Sequence, residues 1–300
     1  MKTYKIRLNA QSGTLTPFQA DTTFGHLCWI VVYQQGDKGL EEFLKPFKEG
    51  NPPFLVSDGF PGDLLPKPLT AELNVDDPDD RKEMKKIDFV SREDFNQVRL
   101  GKRIKPRIQE GLFESIVTLH NTIDRLTNKT LSEGGLYRLE EAFTPNITIY
   151  LKAISEAWKD RVDALFFDLS KVGYGKRKSI GKGQFSVEKA VEFSFPPMGR
   201  ADGFVTLSSF CPAENDPTEG SYKTLLKYGK LSEEFASCGN PFKKPLLMIK
   251  TGSVFWTKGE PREFYGRIVQ GGISPAKPEV VQYAYAFAVP IKYPQIQGSL

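Results

Sequence analysis

The chain has 300 residues, 39% hydrophobic and 26% charged, with a net charge of +4, enough to build a substantial core in one large or two modest domains. So mild a charge excludes polyanion binding by the surface as a whole, and any such site must be local. Cys28, Cys211 and Cys238 are odd in number, far apart and without CxxC spacing, which predicts reduced thiols in the cytoplasm and no structural zinc. The longest apolar run, Cys28 to Tyr33, is too short for a membrane span, and no basic-plus-apolar leader opens the chain. No membrane contact is expected.

In chain order, residues 4–10 alternate as a first strand. A helix follows, capped by Asp21 or Thr22, with Phe24, Leu27, Cys28, Val31 and Val32 as its buried stripe and its end near Gly36. His26 lies between buried positions on that helix and reads as a packing or hydrogen-bonding residue before a catalyst. From Asn51 to Leu69, prolines and glycines restrict the chain to extended segments and turns. Residues 74–110 are highly charged and lack clear periodicity, as an insertion would. Pro78 splits Asp76 and Asp77 from Asp79 and Asp80, and the glycine and terminal glutamate of a calcium loop are missing, so a solvated acidic turn is expected rather than a metal site. Ten cations against four acids between Arg81 and Arg107 fit either an electrostatic track for nucleic acid or a plain solvated face.

Strands are predicted at 115–122, 136–143 and 147–153. The polar link between the first two carries Asp124, Arg125, Thr127, Asn128 and Lys129, which could reach sugars and phosphates from a sheet edge. Residues 156–171 read as an amphipathic helix with Ser155 as cap and Gly173 as stop. The stretch GYGKRKSIGKGQF then sets Gly173, Gly175, Gly181 and Gly183 among Lys176, Arg177, Lys178 and Lys182 with no acid inside it. Glycines allow positive φ and close backbone approach while the cations supply charge, so the loop reads as a phosphate-chain cradle. The alternative is a flexible basic turn with a glycine cap. Here the order is helix, loop, strand; a Walker loop or dinucleotide fingerprint runs strand, loop, helix, and GKS or GKT is absent. No nucleotide cofactor is expected, and the first half approximates the split βαβ order, βαββαβ, shared with RNA-recognition motifs.

A boundary is predicted at Phe195–Gly199, where prolines interrupt the pattern. Beyond it, a strand over 203–210, a helix over 222–235, a strand over 246–256 and a closing strand over 280–291 describe a smaller βαβ-type domain. Tyr283, Tyr285, Phe287 and Val289 share one face of that last strand. Gly266-Arg267 and Gly271-Gly272 read as an ordinary hairpin connection before it.

The loop GYGKRKSIGKGQF, the segment IDRLTNKTLSEGGLY and the helix DTTFGHLCW together resemble the repeat-associated (RAMP) proteins of CRISPR systems. With GNPPFLVSDGFPGDLLPKPL included, nearly the whole chain resembles the fourth-subunit family of type III-A Csm effector complexes. That resemblance implies an α+β fold of two ferredoxin-like (RRM-like) βαββαβ domains, 1–195 and 200–300, with the charged insertion at 66–112. It implies a non-catalytic, RNA-binding ribonucleoprotein subunit for antiviral defence that holds the crRNA 5′ handle. Its expected partners are the large polymerase-like subunit and the backbone RAMP subunits, which it bridges, with target RNA as a further candidate. Carried onto this sequence, the crRNA contacts are Gly173, Gly175, Lys176, Arg177, Lys178, Gly181, Lys182 and Gly183, with Asn121, Asp124, Arg125 and Thr127 beside them. His120, next to that segment, is expected to stack on or hydrogen-bond RNA, the alternative being that it simply fills the sheet edge. The 74–110 insertion resembles the family's thumb, with no residue in it assigned. The rival reading is a metal-independent CRISPR-repeat endoribonuclease working through His26 or His120, because such chemistry needs a base and an acid and the chain has only these two histidines.

Overall fold

A computed structural model describes residues 1–294 apart from Ser132, Gly134, Ser232 and Cys238, so the expectation for the Cys238 thiol lies outside the described residues. Strand β1 (Lys2–Ala10) buries Tyr4, Ile6 and Leu8 in alternation. Helix α1 (Ala20–Lys48) is capped neither by Asp21 nor by Thr22. The Asp58 carboxylate, from the next segment, accepts the Ala20 N–H at 2.8 Å, and Asp21 is drawn inside to pair with Lys227 at 2.8 Å. The first helical segment ends at Gly36 as expected, where the backbone leaves the helical region (φ 68°, ψ −170°), and a second segment continues beyond that break to Lys48, carrying the apolar stripe on through Leu40, Phe43, Leu44 and Phe47.

Strands β2 (Phe54–Val56), β3 (Phe60–Pro61) and β4 (Leu65–Pro66) are the short extended pieces that the prolines permit. The charged insertion is folded, and Asp76, Asp77 and Asp79 lie exposed at its acidic turn as expected. Asp77 accepts the Asp79 N–H at 2.7 Å and so starts α2 (Pro78–Lys86); β5 (Phe89–Val90) pairs with β4; Ser91 caps α3 (Arg92–Arg99). Met84, Phe95 and Val98 are buried, and Arg99 donates to the Pro290 carbonyl at 2.8 Å. Residues 78–99 are thus anchored to the body through Met84, Phe95, Val98 and Arg99. The projecting element is a two-stranded hairpin of β6 (Glu114–Asn121) and β9 (Leu136–Phe143), extended by β7 (Ile123–Asp124) and β8 (Lys129–Thr130), with Leu126 at its tip 96% exposed.

Next come β10 (Asn146–Ala153), α4 (Glu156–Val172), β11 (Phe185–Val187) and β12 (Val191–Glu192). Ser155 accepts the Trp158 N–H at 3.3 Å, and Gly173 ends α4 at φ 85°. The first sheet runs β11-β1-β10-β2, with β12 beside β1 and β3 beside β10, all antiparallel. With α1 and α4 as connections, this is the strand order of a βαββαβ unit.

The second half comprises β13 (Gly203–Thr206), β14 (Gly220–Ser221), β15 (Thr224–Lys227), β16 (Leu246–Ile249), β17 (Val254–Trp256), β18 (Phe264–Val269) and β19 (Gln282–Ile291). Its main sheet is ordered β14-β17-β13-β19-β18. The helix expected at 222–235 is replaced by β15, which pairs with β16, and by a short 3-10 turn at Glu233–Ser237. Leu225 and Leu226 lie on opposite faces of a strand, and Gly229 interrupts any helical continuation. No α-helix is found here among the described residues, so the second half lacks the crossover helices of a further βαββαβ unit. The strand expected over 246–256 is broken at Gly252 (φ 84°) into β16 and β17, and Gly266-Arg267 belongs to β18 rather than to a turn.

One apolar core spans both halves. The alternation in β19 turns Tyr283, Tyr285, Phe287 and Val289 to this core and the alanines between them to the opposite side. Tyr283 stacks on Phe24 of α1 at 4.7 Å, and the Tyr285 hydroxyl donates to the Phe47 carbonyl at 2.6 Å. No helix among the described residues is long and apolar enough to cross a membrane.

Candidate nucleic-acid interface

The glycine-rich loop leaves α4 at Gly173 and is fastened from beneath. Tyr174 is fully buried: its ring stacks on Phe18 at 4.0 Å, its hydroxyl donates to the Pro17 carbonyl at 2.8 Å, and its N–H donates to the Gly183 carbonyl at 2.9 Å. The Gly175 N–H donates to His26 Nε2 at 3.1 Å, the Lys176 N–H to Thr16 Oγ1 at 3.1 Å, and the Gly183 N–H to the Gly13 carbonyl at 2.9 Å. Most of the loop amides thus hold the loop itself. Those of Arg177, Lys178 and Ser179, which open the single 3-10 turn Lys178–Ile180, have no acceptor among the described residues. Arg177 is a non-glycine at φ 64°, a left-handed position that costs on the order of 1 kcal/mol.

The charge of the loop differs from the expectation. Lys178 forms an ion pair with Glu233, and Lys182 forms one with Glu141 at 2.5 Å. Both acids are distant in sequence. Lys176 and Arg177 are exposed, without an ion-pair partner among the described residues, and Gly181 and Gly183 shape the turn. Burial pushes the Glu233 carboxyl up, but hydrogen bonds from Lys178 and Tyr33 outweigh it and hold the group below its ordinary value.

The hairpin meets this loop along one face. On β6 and β9 the inward positions are Ile116, Thr118, His120 and Tyr137, Leu139, Glu141. The Arg177 guanidinium lies 5.6 Å from the centre of the Tyr137 ring, and the His120 ring stacks beside the same tyrosine at 5.5 Å. Thr118 Oγ1 lies 2.9 Å from His120 Nε2 and donates to Glu141 at 3.2 Å. The loop and His120 are therefore brought together through Tyr137, Thr118 and Glu141, none of which sequence reading singled out.

Asn121, Asp124, Arg125 and Thr127 sit farther out, near or at the hairpin tip. Asp124 accepts the Leu126 N–H at 2.9 Å and the Thr127 hydroxyl at 3.1 Å, which holds its carboxyl below the usual range and uses both groups to shape the turn. Asn121 donates to Thr130 at 3.3 Å, and Arg125 is exposed. Among the described residues, no hydrogen bond or ion pair joins this tip to the glycine loop. His26 is buried in the loop's foundation. Desolvation, with Lys178 nearby, lowers its pKa to about 4, so the ring is neutral and its Nε2 acts as an acceptor.

A chain of the Csm1-Csm4 cassette crystallised with pppApA superposes with a TM-score of 0.66 at 19% identity, covering 98% of this chain and 100% of that one. A chain of the Csm3-Csm4 subcomplex of the type III-A CRISPR-Cas interference complex gives 0.65 at 14% identity, covering 97% and 100%. No protein-family model and no curated protein matches the sequence. Csm4 is the component common to the two assemblies, and over its whole length this chain has the Csm4 fold.

Proposed function

We propose that this chain is a non-catalytic subunit of a type III-A CRISPR effector complex that grips the crRNA 5′ handle. It bridges a large polymerase-like subunit to the backbone subunits. The observation that carries the RNA-holding role is the row of amides at Arg177, Lys178 and Ser179 that have no acceptor among the described residues, flanked by Lys176 and Arg177, which have no ion-pair partner among them, and by the Tyr137–His120 stack. Amides and cations suit phosphate oxygens, and rings suit splayed bases of a single strand. The bridging role draws on the company the similar chains keep, one paired with Csm1 and the other with Csm3.

Cleavage is disfavoured by geometry. The Nε2 of His26 already accepts a loop amide beneath the surface, and His120 Nε2 engages Thr118. The test is 4-thiouridine crosslinking along the handle in the assembled particle. Adducts are expected within 173–183 and around His120 and Tyr137; handle adducts confined to other subunits would overturn the reading. Labelled repeat RNA should remain uncut with the wild-type chain, and His120-dependent products would favour the nuclease.

A further inference from the structure

Beside the glycine loop, a cleft of about 630 Å³ lies between the hairpin root, the ends of β1 and β11, and the Lys250–Thr251 turn. That volume is in the range of built ligand sites. Its apolar walls include Phe18, Phe60, Phe89 and Phe113, with the last three in edge or tilted contact at 6.4 and 6.1 Å. Its polar lining has the opposite sign to the loop. Asp58 is 7% exposed, and although it accepts the Ala20 N–H, no cation pairs with it among the described residues. Burial, with Asp21 nearby, pushes its carboxyl up to about 7 against the backbone hydrogen bonds from Ala20 and Ser209 and the charge of Lys227. Glu114 and Glu140 are exposed at the hairpin root without ion-pair partners among the described residues, Glu141 is occupied by Lys182, and Lys250 is the cation in the lining.

An acid-rich, phenylalanine-walled slot repels a phosphodiester chain. It favours a cation, which gains from the ring faces and from the attraction of the surrounding carboxylates. A free metal ion would not use the rings. We infer that the cleft is a docking slot for an extended segment of a partner protein, which inserts an arginine or lysine between the phenylalanines toward Asp58, Glu114 and Glu140. The inference goes beyond the RNA-holding role and does not depend on it: two neighbouring surfaces of opposite charge sort nucleic acid to the loop and protein to the cleft.

The experiment places p-benzoylphenylalanine at position 113, the exposed wall, within the assembled particle, and maps the photoadduct. The expected adduct is a protein-subunit segment containing arginine or lysine. The Glu114→Lys/Glu140→Lys variant, altered only at exposed hairpin positions, should lower retention of that subunit on the order of tenfold, with handle-RNA affinity unchanged or increased. Glu114→Gln/Glu140→Gln should give a smaller loss of the same sign. An adduct on RNA, no adduct, or full retention of the subunit by the lysine variant overturns the inference. Failure of the RNA-holding role would register separately, as handle affinity insensitive to Lys176 and Arg177.

Discussion

His26 is 9% exposed and is the hydrogen-bond acceptor for the Gly175 amide, so its contribution is to loop position. Its folded pKa of about 4 lies below the usual 6.5. Above pH 6.5 both folded and unfolded chains hold it neutral, and its contribution is fully present. As pH falls toward 4, the unfolded chain binds a proton that the fold refuses, and stability drops by up to about 3 kcal/mol. Urea unfolding from pH 7 to 4.5 should therefore show a flatter profile for His26→Gln than for wild type; parallel profiles would contradict this. Glycines in the loop are not equivalent either. A Cβ on Gly183 would stand 2.0 Å from the Tyr174 carbonyl oxygen, whereas one on Gly181 meets nothing within 4 Å. Both have positive φ, so Gly181→Ala should cost roughly 1 kcal/mol from backbone strain alone and Gly183→Ala several times that. Thermal denaturation of the two variants checks the order.

At the scale of elements, the loop and the hairpin form one unit, since an isolated two-stranded hairpin is marginal in water. Lys182–Glu141 and the paired Thr14 and Ala142 backbone tie the hairpin to the body. Glu141→Gln should loosen the hairpin by roughly 2 kcal/mol, less than a fully buried pair because Lys182 can reach water. Hydrogen exchange should quicken across 114–143 and not in β1 or β10; unchanged exchange would deny the tie. Strands β6, β9 and β10 and the Ser155-capped α4 were legible because alternation, helical period and cap chemistry are local signals. Residues 222–235 misled because leucines, lysines and glutamates there mimic a helix while the strand β16 claims Thr224–Lys227. Glu141, Glu233 and Tyr137 could not be placed at the loop beforehand, since chain folding alone brings them from 40 or more residues away from the Lys or Arg they meet.

For the molecule as a whole, the shared core means that α1 is packed by both sheets. The Phe24, Phe47 and Tyr283 cluster and the Tyr285–Phe47 hydrogen bond cross the predicted 195–199 boundary. Calorimetry should accordingly give a single cooperative unfolding transition rather than one per half. The fold likeness to Csm4 chains covers 97–98% of this chain while sequence identity is only 14–19%, so the likeness is one of fold, and the loop's chemistry has to be tested in this chain. The most direct measurement is handle-RNA affinity as a function of salt for wild type and for Lys176→Ala/Arg177→Gly, where glycine keeps the left-handed turn while the cation is removed. Weaker binding and a slope reduced by about 1.4, or 0.7 for each of two lost phosphate contacts, is the predicted result. Unchanged affinity with an unchanged slope would contradict a phosphate cradle at this loop.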